Sequence, residues 1–284
     1  MNTSQSQKTT LLAAWVVVIL ASWLPTVILQ EYFKQKITPD ARAVMSLSVI
    51  AAAFLATLIW KSLKALRPFL ILFAVLIGVQ WLVYNRLDTL PFYRRWLQNP
   101  SFSVNMLAEQ SLHLVVTFVM IAVLFLMGKK RRDFYLALGD TAAPAEGVRW
   151  LGIDPGTPWK KLGIILSICI SLGTLTFLVI AGRPPLNIVV QVLPFLPAIL
   201  LAAALNSFNE EVTYKASFLS VLESPVGAKQ AIYMVAAYFG MAHFYGVPYG
   251  WVGVVLAAFM GWLLAKSMKE TRGLFWAWFI HFLQ

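Results

Sequence analysis

Cysteine is almost absent from this chain: Cys169 is the only one, and it lies inside an uncharged apolar run, which excludes an intrachain disulfide and a Cys-based metal site. Charge is scarce too. Only 12% of the 284 residues are Asp, Glu, Lys or Arg, against about a quarter in a soluble domain. Acidic residues are the rarer sign, 12 against 23 basic ones, and there are three histidines. The sequence shows no convincing internal repeat and no low-complexity tract.

Apolar side chains fill the space left by these absences. They make up 60% of the chain, the mean hydropathy is +0.73, and the uncharged runs approach the ~20 residues that cross a bilayer as a helix. Such runs occupy 11–29, 43–60, 68–84, 111–127, 164–181, 189–205, 231–243, 251–265 and 274 onward. The composition predicts an all-α, polytopic transmembrane helical bundle with about eight to nine membrane segments. The last run reaches Gln284 after eleven residues, too few to span at ~1.5 Å per residue, so the last helix is expected to continue past this end. The first run is longer than a signal-peptide core and has no small-residue cleavage site before its polar flank, so it is expected to be retained.

The net charge of +11 is placed between hydrophobic runs, where it reads as topology and gives no reason to expect nucleic acid. The densest cluster, Lys129, Lys130, Arg131 and Arg132, shares the 128–163 loop with Arg149, Lys160 and Lys161. A cytoplasmic loop then puts the N-terminus in the cytoplasm as well, and the lack of organelle signals suggests the plasma membrane of a prokaryote. The loop divides a four-helix region, 1–127, from a second membrane region, 164–284. Pro194, Pro197, Pro225 and Pro248 all fall in the latter, which points any chemistry there.

In that half the stretch NSFNEEVTYKAS, 206–217, sets two glutamates at the end of a charge-free run. Ser207 and Glu210 have the spacing of a capping box, and Glu211 and Lys215 that of an i, i+4 pair, so a helix start at the membrane interface is one reading. The other is a site. His243 and His281 also lie in apolar runs, where a charged group costs about 2.5 to 3.5 kcal/mol and marks a pathway or a reacting centre. His113, four residues after Glu109, reads as a local interfacial pair and is left outside the site. Successive helical residues point ~100° apart, which predicts that Glu210 faces a cavity while Glu211 turns to Lys215.

Glu210-Glu211 with Lys215, then Phe239 to His243, then His281 resembles the EExxxR, FxxxH and HxxxN or HxxxD motifs of the CAAX protease and bacteriocin-processing (Abi) family of intramembrane endopeptidases, in order, over 164–284. Lysine stands where the family usually has arginine, and the final Asn or Asp would be position 285. The resemblance implies a multi-pass protease acting on membrane-anchored peptides or proteins, of CAAX, leader or C-terminal type. Glu210 would be the base that activates water, with His243 and His281 orienting water, donating to the carbonyl oxygen or protonating the leaving amine. Glu211 and Lys215 would support them, and Phe239 would pack beneath the imidazole or line the groove. No cofactor is favoured. Zinc bound by Glu210, His243 and His281, with Glu211 as base, is the metal alternative. A proton-coupled transporter and a non-catalytic scaffold of the same fold are the readings from other classes.

Overall fold

A computed structural model describes residues 3–98 and 101–284. Each of the nine apolar runs is helical in it. Helix α1 (Thr3–Ala21) bends by 46° into α2 (Leu24–Val27) and a π turn that ends at Tyr32. The bend has a local cause: the Ser22 hydroxyl accepts from Leu24 N–H at 3.1 Å, and Pro25 has no N–H to continue the ladder. Next come α3 (Pro39–Ile59), α4 (Arg67–Asn85), the short α5 (Pro91–Trp96) and α6 (Phe102–Leu126). Thr38 and Ser101 cap α3 and α6, their hydroxyls accepting from Ala41 N–H at 3.1 Å and Val104 N–H at 3.4 Å.

After the basic loop the chain forms α7 (Trp159–Gly182), α8 (Leu186–Val192), α9 (Leu196–Glu210), α10 (Ser217–Val226), α11 (Ala228–Met241), α12 (Trp251–Thr271) and α13 (Phe275–Leu283). Among the described residues six helical segments are long and apolar enough to cross a membrane: α3, α4, α6, α7, the α8–α10 run and α12. The bent α1–α2 pair makes seven. The runs outnumber the long helices because α11 and α13 have 14 and 9 residues. The chain is therefore an all-α polytopic bundle and an integral membrane protein.

Its core is centred on α4, α10, α11 and α12. Phe69, Phe73, Phe218 and Tyr238 meet there edge to face and tilted, with ring centroids 5.0 to 5.7 Å apart. By contrast α7 presents Ile168, Leu172 and Ile180 outward, as a helix solvated by lipid does. The 128–163 loop is not a free tether. Phe134, Tyr135, Val148 and Ile153 are buried in it, two isolated β-bridges pin it, Pro144 to Pro158 and Val148 to Ile153, and the Trp276 indole donates to Thr141 O at 2.9 Å.

Glycine lets α11 and α12 approach closely. A Cβ on Gly240 would sit 2.7 Å from Val254 O and from the Ala258 Cβ, and one on Gly261 would sit 3.2 Å from Ala236 Cα. Small residues at such crossings replace the hydrophobic drive that lipid removes. Gly240→Ala is therefore expected to lower stability by about 1–3 kcal/mol, read as a drop in the thermal unfolding midpoint in one detergent. Gly78→Ala, where the added carbon meets nothing within 4 Å, should be neutral or better.

Candidate active site

No helix begins at Ser207. Helix α9 runs through it, and its hydroxyl donates back to Ala203 O at 2.8 Å, so the capping-box reading is corrected. The polar stretch continues an existing helix, and its backbone widens into a π turn over Glu211–Ala216 before α10. Such single π turns inside helices recur where a side chain must be re-aimed.

Glu211 and Lys215 form the expected pair. The Lys215 ammonium donates to Glu211 Oε1 at 2.7 Å, and both side chains are 0% exposed. The same ammonium lies 3.5 Å from the centre of the Phe239 ring, a cation–π contact in a desolvated place. Phe239 also meets the His243 imidazole, with ring centroids 4.4 Å apart. His243 Nδ1 is 2.7 Å from Phe239 O; a carbonyl can only accept, so Nδ1 carries a proton, and in a neutral ring Nε2 is then the acceptor.

The two glutamates diverge as expected, Glu210 to the wall of a small cavity and Glu211 to Lys215, but one further side chain links them. His281, brought in by α13, meets both: Nδ1 is 2.7 Å from Glu211 Oε1 and Nε2 is 3.7 Å from Glu210 Oε2. The two carboxylates do point different ways, and the imidazole has nitrogens on opposite flanks, so one ring spans both. Asn206 Nδ2 approaches Glu210 Oε1 at 3.4 Å. Glu210 Oε2 and Glu211 Oε2 are buried without a hydrogen-bond partner among the described residues.

Two cavities adjoin this cluster. A groove of about 430 Å³ between α7, α11 and α12 contains His243 and His281, with Phe177, Leu256, Phe259 and Met260 on its walls. A second space, of about 30 Å³ and thus about the size of one water, is lined by Glu210, Tyr84, His113, Asn209 and Tyr214. His113 feels the charge of Glu109, as its spacing suggested, and its ring also packs against Tyr84 at 5.4 Å and borders Glu210. The signal was in the sequence: an imidazole in a charge-free run, the property that singled out His243 and His281. The first half of the chain also holds the glutamate helix. Thr117 donates to Asn209 Oδ1 at 3.2 Å and Asn209 to Gln110 Oε1 at 3.3 Å, while Gln80 donates to the Tyr214 hydroxyl.

Among the described residues no three of His, Cys, Asp and Glu are grouped to hold a metal ion. Glu211, the base of the zinc alternative, already accepts from Lys215 and His281. The arrangement as it stands offers a carboxylate with a spare oxygen, two imidazoles and a buried cation beside an apolar groove.

Comparison with curated proteins and with solved structures finds no match in either. Residues 192–284 match a family model described as type II CAAX prenyl endopeptidase Rce1-like. That segment contains Glu210, Glu211, Lys215, Phe239, His243 and His281, and the match supports the resemblance to the CAAX protease and bacteriocin-processing family over this third of the chain.

Proposed function

We propose that the chain hydrolyses peptide bonds of membrane-anchored substrates with a water activated by Glu210. The observation that carries this reading is one imidazole, His281, shared between the glutamate pair and the apolar groove. Glu210 Oε2 takes a proton from water as the water oxygen bonds to the scissile carbonyl carbon. The carbonyl π electrons move to oxygen. Glu210 then passes its proton to the amide nitrogen as the C–N bond breaks, leaving a new carboxyl and an amine.

The histidines take different parts. With Nδ1–H donated to Phe239 O, His243 Nε2 accepts a hydrogen bond from the second water O–H, which stays on the oxygen, and aims that oxygen. His281 lies between the two glutamates and can carry a proton on each ring nitrogen. Its Nε2–H then stabilises the developing oxyanion; at 3.7 Å from Glu210 it is not committed to a ground-state hydrogen bond. Lys215, wholly buried, holds Glu211, which holds His281 by Nδ1.

The groove walls suit an extended peptide carrying apolar or lipidated side chains, of CAAX, leader or C-terminal type. The proposal extends to the domain plan, with catalysis in 164–284, and to an orientation in which the basic loop and the N-terminus face the cytoplasm of a prokaryotic cell.

The test is cleavage of a library of membrane-tethered reporter peptides by the reconstituted chain, with and without a chelator. Cleavage that a chelator spares and His243→Ala reduces by about 10²-fold or more supports the proposal. Loss with chelator makes the enzyme a metalloprotease, and no cleavage with glutamate-dependent proton flux makes it a transporter.

A further inference from the structure

Away from the glutamate cluster, the 128–163 loop and the turn between α12 and α13 enclose a cavity of about 880 Å³. Three arginines line it: Arg131 and Arg132 from the loop, Arg272 from the turn. None of their guanidinium groups forms a hydrogen bond or ion pair among the described residues. The acids in the same wall each accept a hydrogen bond. Asp133 accepts from Lys130 N–H at 2.7 Å, Asp140 from Ala142 N–H at 3.0 Å, and Glu270 from the Trp159 indole at 2.7 Å and from Lys266. The wall thus carries three guanidinium forks beside three carboxylates, of which Glu270 is paired with Lys266 while Asp133 and Asp140 each keep one oxygen without a bond among the described residues.

The frame is fixed by backbone. Asp140 N–H donates to Thr271 O at 2.7 Å and Leu274 N–H to Ala137 O at 2.8 Å. A Cβ on Gly273 would lie 2.3 Å from Leu138 O, so only glycine permits this contact. Arg272 adopts the left-handed region, φ 53°, and is held there between these bonds. The arginines are therefore brought together by tertiary structure and not by sequence proximity alone.

A second feature indicates what the ligand is. Ala137 and Leu138 are shared with an adjoining groove of about 200 Å³ whose other walls are Phe208, Leu274, Phe275 and Trp278. Leu138 is 67% exposed. A cavity with three arginine forks opening onto an apolar groove at the end of membrane helices matches the two ends of one molecule, a phosphate and a hydrocarbon chain. Arginine is the side chain whose planar fork suits phosphate oxygens.

We infer that this is a binding site for an anionic phospholipid, with the phosphodiester at Arg131, Arg132 and Arg272 and an acyl chain along Leu138, Phe275 and Trp278. Phe208 and Trp278 sit on α9 and α13, the helices that supply Glu210 and His281, so an occupied groove would brace the pair of elements that builds the active site. The inference stands whether or not the chain is a protease.

The test is native mass spectrometry of the full, delipidated chain titrated with phosphatidylglycerol, with phosphatidylcholine of the same acyl chains, and with inorganic phosphate. Phosphatidylglycerol should bind at least tenfold more tightly than either. Arg131→Gln and Arg132→Gln, at exposed positions, should each weaken it about fivefold, and the triple variant that adds Arg272→Asn roughly a hundredfold. Asparagine is chosen because it tolerates the left-handed backbone. Leu138→Glu should weaken the lipid and leave phosphate unchanged. Equal retention of the two lipids, or undiminished binding by the folded arginine variants, overturns the site. Phosphate bound as tightly as the lipid overturns its lipid character. Thermal unfolding without lipid verifies each fold, and the two single variants carry the test if the triple one is lost.

Discussion

Glu210→Gln is expected to lower kcat on a membrane-tethered peptide by about 10² to 10⁴-fold, the usual contribution of a positioned general base, and to leave KM nearly unchanged. The amide fills the same space and keeps Oε1 within reach of Asn206, which donates at 3.4 Å. Glutamine cannot take a proton from water. Glu210 is also absent from the walls of the 430 Å³ groove, so peptide binding is not expected to change. A loss confined to KM would assign Glu210 to substrate binding instead. Glu211→Gln should behave differently, since Glu211 touches Lys215 and His281 rather than the groove; its effect should appear in stability as well as in rate.

Lys215→Met is expected to cost about 3–5 kcal/mol of stability, the usual penalty for removing one partner of a buried ion pair. The ammonium and Glu211 are both fully inaccessible at 2.7 Å, so the carboxylate left behind keeps only the His281 contact, and the Phe239 contact at 3.5 Å is lost too. Adding Glu211→Gln should restore much of the loss, because both charges are then gone. Thermal unfolding of the two single variants and the double in one detergent gives the coupling directly. Lys269→Met is the comparison: its pair with Glu223 lies at side chains 39% and 20% exposed, where about 0–1 kcal/mol is usual. Equal destabilisation by the two lysine substitutions would deny Lys215 its role as the fixed counter-charge of the cluster.

The helices were legible because lipid demands it: a bilayer leaves no partner for exposed backbone, so every apolar run of sufficient length becomes helical. The Glu211 to Lys215 pair was legible as well, since an i, i+4 spacing is a local distance. What escaped was of two kinds. The π turn that begins at Glu211 carries no periodicity signal, and a Ser and a Glu three apart look the same in mid-helix as at a cap, although in the structure Ser207 bonds Ala203. The approach of His281 to Glu210 and Glu211 joins residues 71 and 70 apart, and sequence spacing says nothing about how α13 folds back on α9. His113 was within reach of the rule that found the other two histidines, and the nearby Glu109 diverted the reading. The arginine cavity depends on Arg272 meeting the 128–163 loop, a contact set by backbone bonds that no local motif encodes.

The most direct test of the account is a single turnover of a tethered peptide by the reconstituted chain in H₂¹⁸O, with Glu210→Gln alongside. The account predicts one solvent-derived oxygen in the new C-terminal carboxyl of the product, no label in the Glu210 side chain, and no product from the variant on the same timescale. Label in the Glu210 carboxyl would show that Glu210 attacked the peptide itself, and equal cleavage by Glu210→Gln would remove it from the chemistry.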